Sequence, residues 1–164
     1  MCGPFAELLI CTDKLNEIKN NLSEMAKEFL SKIDIDFHTV KIHPYDSNGV
    51  VVYTYRKKID SNDYNDLIGS FTLVGMPSCL YMGISISTFV NHKYQNKGIA
   101  SLFHSMKSYI CKKVGVKALI ATVNKDNTHE ISSLKKNNWK QVDSIGEVGL
   151  WVGNYEGIKA TIIE

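Results

Sequence analysis

The segment Val90–Ala100, with the sequence VNHKYQNKGIA, decides how the fold of this chain is interpreted. The residues before it, 81–90, are rich in β-branched and aromatic side chains and predict a strand. One face of that strand is predicted to carry Ile84, Ile86, Thr88 and Val90. After the segment, a helix ending near Gly115 is predicted by the spacing of Leu102, Phe103, Met106, Tyr109 and Ile110. The segment is therefore predicted to be a polar loop between a strand and a helix.

This loop suits an anionic ligand. Residues 95–101 lead into a helix N-terminus, where unpaired backbone N–H groups and the helix dipole both favour negative charge. Gly98 lets the backbone approach a ligand closely, and the small side chain of Ala100 leaves room for it. Of the nineteen lysine and arginine residues only Arg56 is an arginine. Because a single arginine can bind few phosphate oxygens in a bidentate way, backbone amides and lysines would have to hold most of any bound phosphate.

The rest of the chain alternates between predicted strands and helices. Upstream, an amphipathic helix is predicted over residues 13–31, with Asp13 as its N-cap, followed by strands at 37–42, 50–55 and 67–74. Downstream, a strand at 118–123 precedes a short helix at 127–137, with Asn127 as N-cap and Glu130 at the capping-box position. Closing strands are predicted at 139–145, 149–152 and 158–163. This order predicts one α/β domain over residues 1–164.

Composition excludes several classes of function. With 164 residues and a net charge of +2, the chain fits one domain of near-neutral charge. Its lysine pairs are dispersed, which argues against nucleic-acid binding, and its longest apolar run is far shorter than the roughly 18 residues of a membrane span. The four cysteines and five histidines show no metal-ligand spacing, so no metal is expected. Scattered thiols and the lack of a signal-peptide pattern predict a cytoplasmic protein.

Over about residues 50–145 the chain resembles the GNAT superfamily of N-acetyltransferases. Its segment Gln95–Ala100, QNKGIA, matches the family's phosphate-loop motif Gln/Arg-x-x-Gly-x-Gly/Ala. Asn127 corresponds to the Asn that opens a short helix in the family, and Trp139 stands twelve residues later, where the family has Phe. Asn138 replaces the Gly before that aromatic residue, and Asn is the next-best residue for a left-handed conformation. Leu67-Ile68-Gly69 is similar to the family's upstream Ile-Val-Gly strand.

The resemblance implies a GNAT-like fold, with a mixed, mostly antiparallel sheet of six or seven strands and helices on both faces. It also implies acetyl-CoA as co-substrate and direct transfer of the acetyl group, in a ternary complex, to a primary amine of a small molecule, peptide or protein lysine. A monomer or homodimer is expected. The residues implied to bind acetyl-CoA are Phe89, Val90, Gln95, Asn96, Lys97, Gly98, Ile99, Ala100, Ser101 and Asn127.

The catalytic side chains of the family are not matched. Where many members carry a Tyr that protonates the leaving thiolate, this chain has Leu134, and the central strand has no carboxylate. Substitutes for the missing acid and base remain open among Thr88, Tyr81, Tyr155, Glu147 and His92. The alternative hypothesis is therefore a catalytically weak or inactive GNAT-fold module that binds CoA or a protein partner.

Overall fold

The structure, a computed structural model, describes residues 3–57 and 66–154 of the chain. The helices within these residues are α1 (Pro4–Ile10), α2 (Thr12–Ser31), α3 (Ile99–Val114) and α4 (Thr128–Lys136). The strands are β1 (Phe37–Pro44), β2 (Gly49–Arg56), β3 (Asp66–Gly75), β4 (Met82–Val90), β5 (Ala118–Asn124), β6 (Lys140–Ile145) and β7 (Val148–Asn154).

The strands form one sheet in the order β1-β2-β3-β4-β5-β7-β6. Every neighbouring pair is antiparallel except β4 and β5, which run parallel and are joined through α3. A parallel pair needs such a crossover because a tight turn cannot connect two strands of the same direction. The predicted α/β fold with a mixed, mostly antiparallel sheet is confirmed.

Helices α1, α2 and α3 pack on one face of the sheet and share its core. On β2 this face carries Val50, Val52 and Thr54, all fully buried. The Phe71 ring, opposite Val52 on β3, lies 5.6 Å from the Phe103 ring of α3. These three helices lie on the same side because α3 is fixed there by the β4–α3–β5 crossover and the apolar faces of α1 and α2 join the same core.

Helix α1 was not anticipated from the sequence. Pro4 occupies its first turn, and the Asn48 Oδ1 atom accepts hydrogen bonds from the backbone amides of Phe5 at 3.1 Å and Ala6 at 3.2 Å. These amides have no partner inside the helix, so the Asn48 side chain caps it from a distant part of the chain. A cap that lies more than forty residues away along the chain leaves no local signature.

The prediction that Asp13 caps the long first helix was wrong. Helix α2 begins at Thr12, and its N-cap is Cys11, whose backbone is extended and whose side chain makes no capping hydrogen bond. Asp13 lies in the first turn instead, where its carboxylate favours the helix dipole without bonding an amide.

The C-terminal half follows the predicted order of elements. The Asn127 side chain accepts a hydrogen bond of 3.2 Å from the backbone amide of Glu130, which confirms Asn127 as the N-cap of α4. Asn138 has φ of +65°, the left-handed conformation expected where the helix ends. Strands β6 and β7 confirm two of the three closing strands. The third, at 158–163, lies outside the described residues.

Candidate functional site

The loop between β4 and α3 is anchored at its base by side-chain hydrogen bonds. The Asn91 side chain donates to the Leu67 carbonyl at 2.9 Å, and its oxygen accepts from the Lys93 amide at 3.2 Å. Tyr94 is buried, and its hydroxyl donates to the Asp66 carboxylate at 3.1 Å. These bonds hold the start of the loop against β3, so the residues that follow begin from a fixed position.

The loop then leads into the N-terminus of α3. Asn96 and Gly98 have φ of +63° and +81°, and Gly98 is the N-cap of the helix without a side-chain cap. Among the described residues, none accepts a hydrogen bond from the amides of residues 96–100. Five free donors at the positive end of a sixteen-residue helix form a cradle suited to an anionic group.

A cleft of about 320 Å³, the loop cleft, opens in front of these amides. Of the residues predicted to bind acetyl-CoA, it is lined by Val90, Gln95, Asn96, Gly98, Ile99, Ala100 and Ser101. Its opposite wall belongs to α4 and carries His129, Ser132, Ser133 and Lys136, which the sequence analysis did not single out. The predicted residues Phe89, Lys97 and Asn127 are absent from its lining. Lys136 therefore supplies a cation that faces the same space as the amide cradle.

A second space, the strand opening, lies where β4 and β5 separate. The two strands pair only over Met82–Ile84 and Ala118–Ile120, and beyond these residues they diverge. The space between them has a volume of about 390 Å³. It is lined by Ser85, Ile86, Ser87, Thr88, Lys107, Ala121, Thr122, Val123, Asn124, Asn127, Glu130 and Leu134. Strand β4 connects the two spaces, because Thr88 lines the strand opening and Val90 lines the loop cleft.

A β-bulge in β4 changes which side chains share a face. Ile86 lies opposite Thr72 and Phe89 lies opposite Ser70, so two residues, Ser87 and Thr88, stand against one on β3. Ser87 has φ of +53°, a left-handed conformation that few non-glycine residues adopt. The prediction that Thr88 and Val90 share a face with Ile84 and Ile86 was wrong, because the extra residue reverses the alternation. Thr88 therefore points toward α3.

Lys107 of α3 fills the space beneath this bulge. Its side chain is 1% exposed, and its Nζ atom donates a hydrogen bond of 2.7 Å to Thr88 Oγ1. The same nitrogen lies 5.5 Å from the centroid of the Phe71 ring. Burial lowers the pKa of Lys107 to about 8 from 10.5. The sequence analysis missed this lysine, although its spacing from Phe103 and Ile110 places it on the buried stripe of the helix.

The other proposed substitutes for a catalytic acid or base lie away from the strand opening. Tyr81 is 60% exposed and contacts Lys117, His92 is exposed in the loop, and Glu147 lies in an exposed turn. Tyr155 lies outside the described residues. Leu134, which the sequence analysis placed at the position of the family's Tyr, is buried and lines the strand opening together with Lys107.

In the part of the chain that the structure describes, no group of three or more His, Cys, Asp and Glu side chains is arranged to hold a metal ion. Within residues 3–57 and 66–154, no helix has the length and apolar character needed to cross a membrane.

No protein-family model matches the sequence, and no curated protein matches it. Solved structures do match the fold. The GNAT domain of S. lividans PAT aligns with a TM-score of 0.56 and 13% identity over 68% of this chain and 64% of that one. The PaiA N-acetyltransferase of Thermoplasma acidophilum, solved with coenzyme A, aligns with a TM-score of 0.53 and 18% identity over 66% of this chain and 62% of that one.

A GNAT acetyltransferase of Elizabethkingia anophelis, solved with acetyl-CoA, aligns with a TM-score of 0.55 and 16% identity. That match covers 71% of this chain and 97% of the other, whereas this chain spans less than two thirds of the first two proteins. The sequences of all three proteins differ strongly from that of this chain, but their folds match it. The chain has the fold of the GNAT acetyltransferases.

Proposed function

We propose that the protein is an acetyl-CoA-dependent N-acetyltransferase that acts on a primary amine. The observation that carries the proposal is the row of amides at residues 96–100 that find no acceptor among the described residues, beside a cleft that lies two residues along β4 from the strand opening. Acetyl-CoA combines phosphate groups with a long arm that ends in a thioester. The cradle suits the first part and the strand opening suits the second, so the residues present fit this co-substrate.

The amides of residues 96–100 would hold the phosphate groups, with Lys136 as a nearby point charge. Residues 85–90 of β4 have no β5 partner, so backbone groups on that edge of β4 would bond an extended arm as a neighbouring strand does. One backbone N–H there would also stabilise negative charge that develops on a carbonyl oxygen. Acetyl-CoA supplies the acetyl group as an activated thioester, and the acceptor amine supplies the nucleophile.

The proposal is tested by calorimetric titration with CoA and acetyl-CoA, followed by assays of thiol release with a panel of polyamines, small primary amines and lysine peptides. We expect saturable binding of both nucleotides and thiol release with at least one class of amine. A chain that binds neither CoA nor acetyl-CoA would contradict the proposal at its first step.

A second candidate function is a module that binds CoA without turnover. Two observations favour it: Leu134 lines the strand opening where a proton donor is expected, and β4 carries no carboxylate. Saturable CoA binding together with no thiol release from any amine in the panel would favour this module over the enzyme.

A further inference from the structure

We propose that Lys107 is the catalytic residue that carries the proton during acetyl transfer in the strand opening. The inference rests on the proposed acetyltransferase function and assigns the acid and base that the sequence lacks at their usual positions. It concerns a side chain on α3, not one on β4 or α4.

Position is the first argument. Thr88 is the second residue of the bulge, where β4 has already left β5, and the Lys107 Nζ atom is 2.7 Å from its hydroxyl oxygen. An extended arm that starts at the loop cleft beside Val90 and follows β4 reaches this point within two residues. Of the described residues that line the strand opening, only Lys107 and Glu130 carry an ionisable side chain.

The second argument is that packing does not explain this lysine. Its side chain is 1% exposed, and no carboxylate in the described residues lies within ion-pair distance of its nitrogen. Its contacts are one neutral hydroxyl and the face of the Phe71 ring. A buried ammonium with so few partners is destabilising, and a Leu or Met of similar volume would pack there at lower cost.

The groups around Lys107 set its proton affinity. From its own helix, His104 and Cys111 face it, and both are neutral because burial lowers the pKa of His104 to about 3 and raises the pKa of Cys111 to about 12. From α4, the Glu130 carboxylate opposes the effect of burial and favours the ammonium. Strand β4 contributes the Thr88 hydroxyl, β3 the Phe71 ring, and β5 the uncharged Ala121 and Val123.

The resulting pKa of Lys107, about 8, suits a proton carrier near neutral pH. At neutral pH the side chain is mainly an ammonium, yet it releases a proton far more readily than an exposed lysine. A cation in this place would also stabilise negative charge that develops on a nearby sulfur.

The step balances without any further reactant. The acceptor nitrogen forms a bond to the thioester carbonyl carbon, the C–S bond breaks, and its electron pair stays on sulfur. Lys107 Nζ gives a proton to that sulfur, which leaves as the thiol of CoA. The neutral Lys107 amine then takes the proton that the acceptor nitrogen loses, directly or across one water, and is an ammonium again. The products are the acetamide and CoA.

The test compares the wild type with Lys107→Met, and uses Lys112→Met, an exposed lysine on the same helix, as the control for lost charge. Titration of ¹³Cε-lysine by NMR should show one amine with a pKa near 8 that is missing only from Lys107→Met. The thiol of bound CoA, followed by thiolate absorbance, should have a lower pKa on the wild type than on Lys107→Met. Acetyl transfer should fall by about 10²–10⁴-fold in kcat in Lys107→Met and stay within twofold in Lys112→Met.

The outcomes separate the two proposals. If the wild type binds no CoA, the proposed function fails and the role of Lys107 fails with it. If the wild type acetylates an amine and Lys107→Met retains its kcat within threefold, only the role of Lys107 is overturned. If CoA binds without turnover, an unchanged thiol pKa between the wild type and Lys107→Met overturns it as well. A Lys107 amine that titrates like an exposed lysine contradicts it in every case.

Discussion

The Lys107 Nζ atom donates a hydrogen bond of 2.7 Å to the hydroxyl of Thr88, and this bond joins the middle of α3 to the second residue of a β-bulge in β4. Without the extra residue in β4, Thr88 would point to the opposite face of the sheet, away from α3. The bulge, the separation of β4 from β5 and the buried lysine therefore form one structural unit.

Replacing Lys107 with Met should make the folded chain more stable at pH 7. The substitution removes a buried ammonium while keeping an unbranched side chain of similar volume, and the half-buried Thr88 hydroxyl remains able to bind water. We expect the free energy of unfolding, measured with urea, to rise by about 2 kcal/mol. The lowered pKa implies that the buried charge costs about 3 kcal/mol, and the lost hydrogen bond to Thr88 offsets about 1 kcal/mol of that gain. A loss of stability would mean that Lys107 is mainly structural.

Lys107 should also give the wild type a specific dependence of stability on pH. Its pKa is about 8 in the folded chain and is lowered from 10.5, the value for an exposed lysine. Between these pH values the unfolded chain binds more protons than the folded chain, so the free energy of unfolding rises with pH, by about 3 kcal/mol in total. Urea unfolding across this range should show the stability advantage of Lys107→Met disappear toward the alkaline end. A constant difference between them would contradict the lowered pKa.

Ala100→Asp should weaken CoA binding while leaving the fold intact. Ala100 lies in the first turn of α3 and lines the loop cleft. A carboxylate there favours the helix dipole but repels bound phosphate, so we expect the Kd for CoA to rise at least about tenfold. Thr12→Asp is the matched control, because it makes the same charge change in the first turn of α2 at an exposed position. Equal Kd values for the two variants would argue against an anion site at the loop.

Ser87→Gly should stabilise the chain, and Ser85→Gly should destabilise it. Ser87 has φ of +53°, which costs an L-residue about 1 kcal/mol and costs glycine nothing. We expect a gain of about 0.5 kcal/mol after the added flexibility of the unfolded chain is counted. Ser85, in the same strand, is buried without a positive φ, so glycine there should cost about 1 kcal/mol. Chemical unfolding measures the stability of both variants. A loss of stability in Ser87→Gly would contradict a strained backbone at Ser87.

The parts of the site that local chemistry determines could be predicted from the sequence. A glycine that ends α3, an Asn that caps α4 and an Asn in a left-handed turn each act within a few residues of themselves, and all three lie where they were expected. The order of strands and helices follows from periodicity for the same reason.

The parts that depend on distant contacts could not be predicted in this way. The bulge at Ser87 arises from the register between β3 and β4, and the cap on α1 comes from Asn48 in another turn. Lys107 lies at a core position of its helix, but lysine is so common on helix surfaces that its spacing alone does not indicate burial. Its burial becomes visible only in the structure, where residues of β4, β5 and α4 line the same opening.

The amide cradle is made of backbone, whereas the proton affinity of Lys107 is set by its apolar surroundings, including Phe71 and Leu134. Side chains that do not exchange protons thus control the pKa of Lys107 in the strand opening. Under the proposed function, changes in the packing of this core would shift the pH range of acetyl transfer without altering the amides proposed to hold the phosphates.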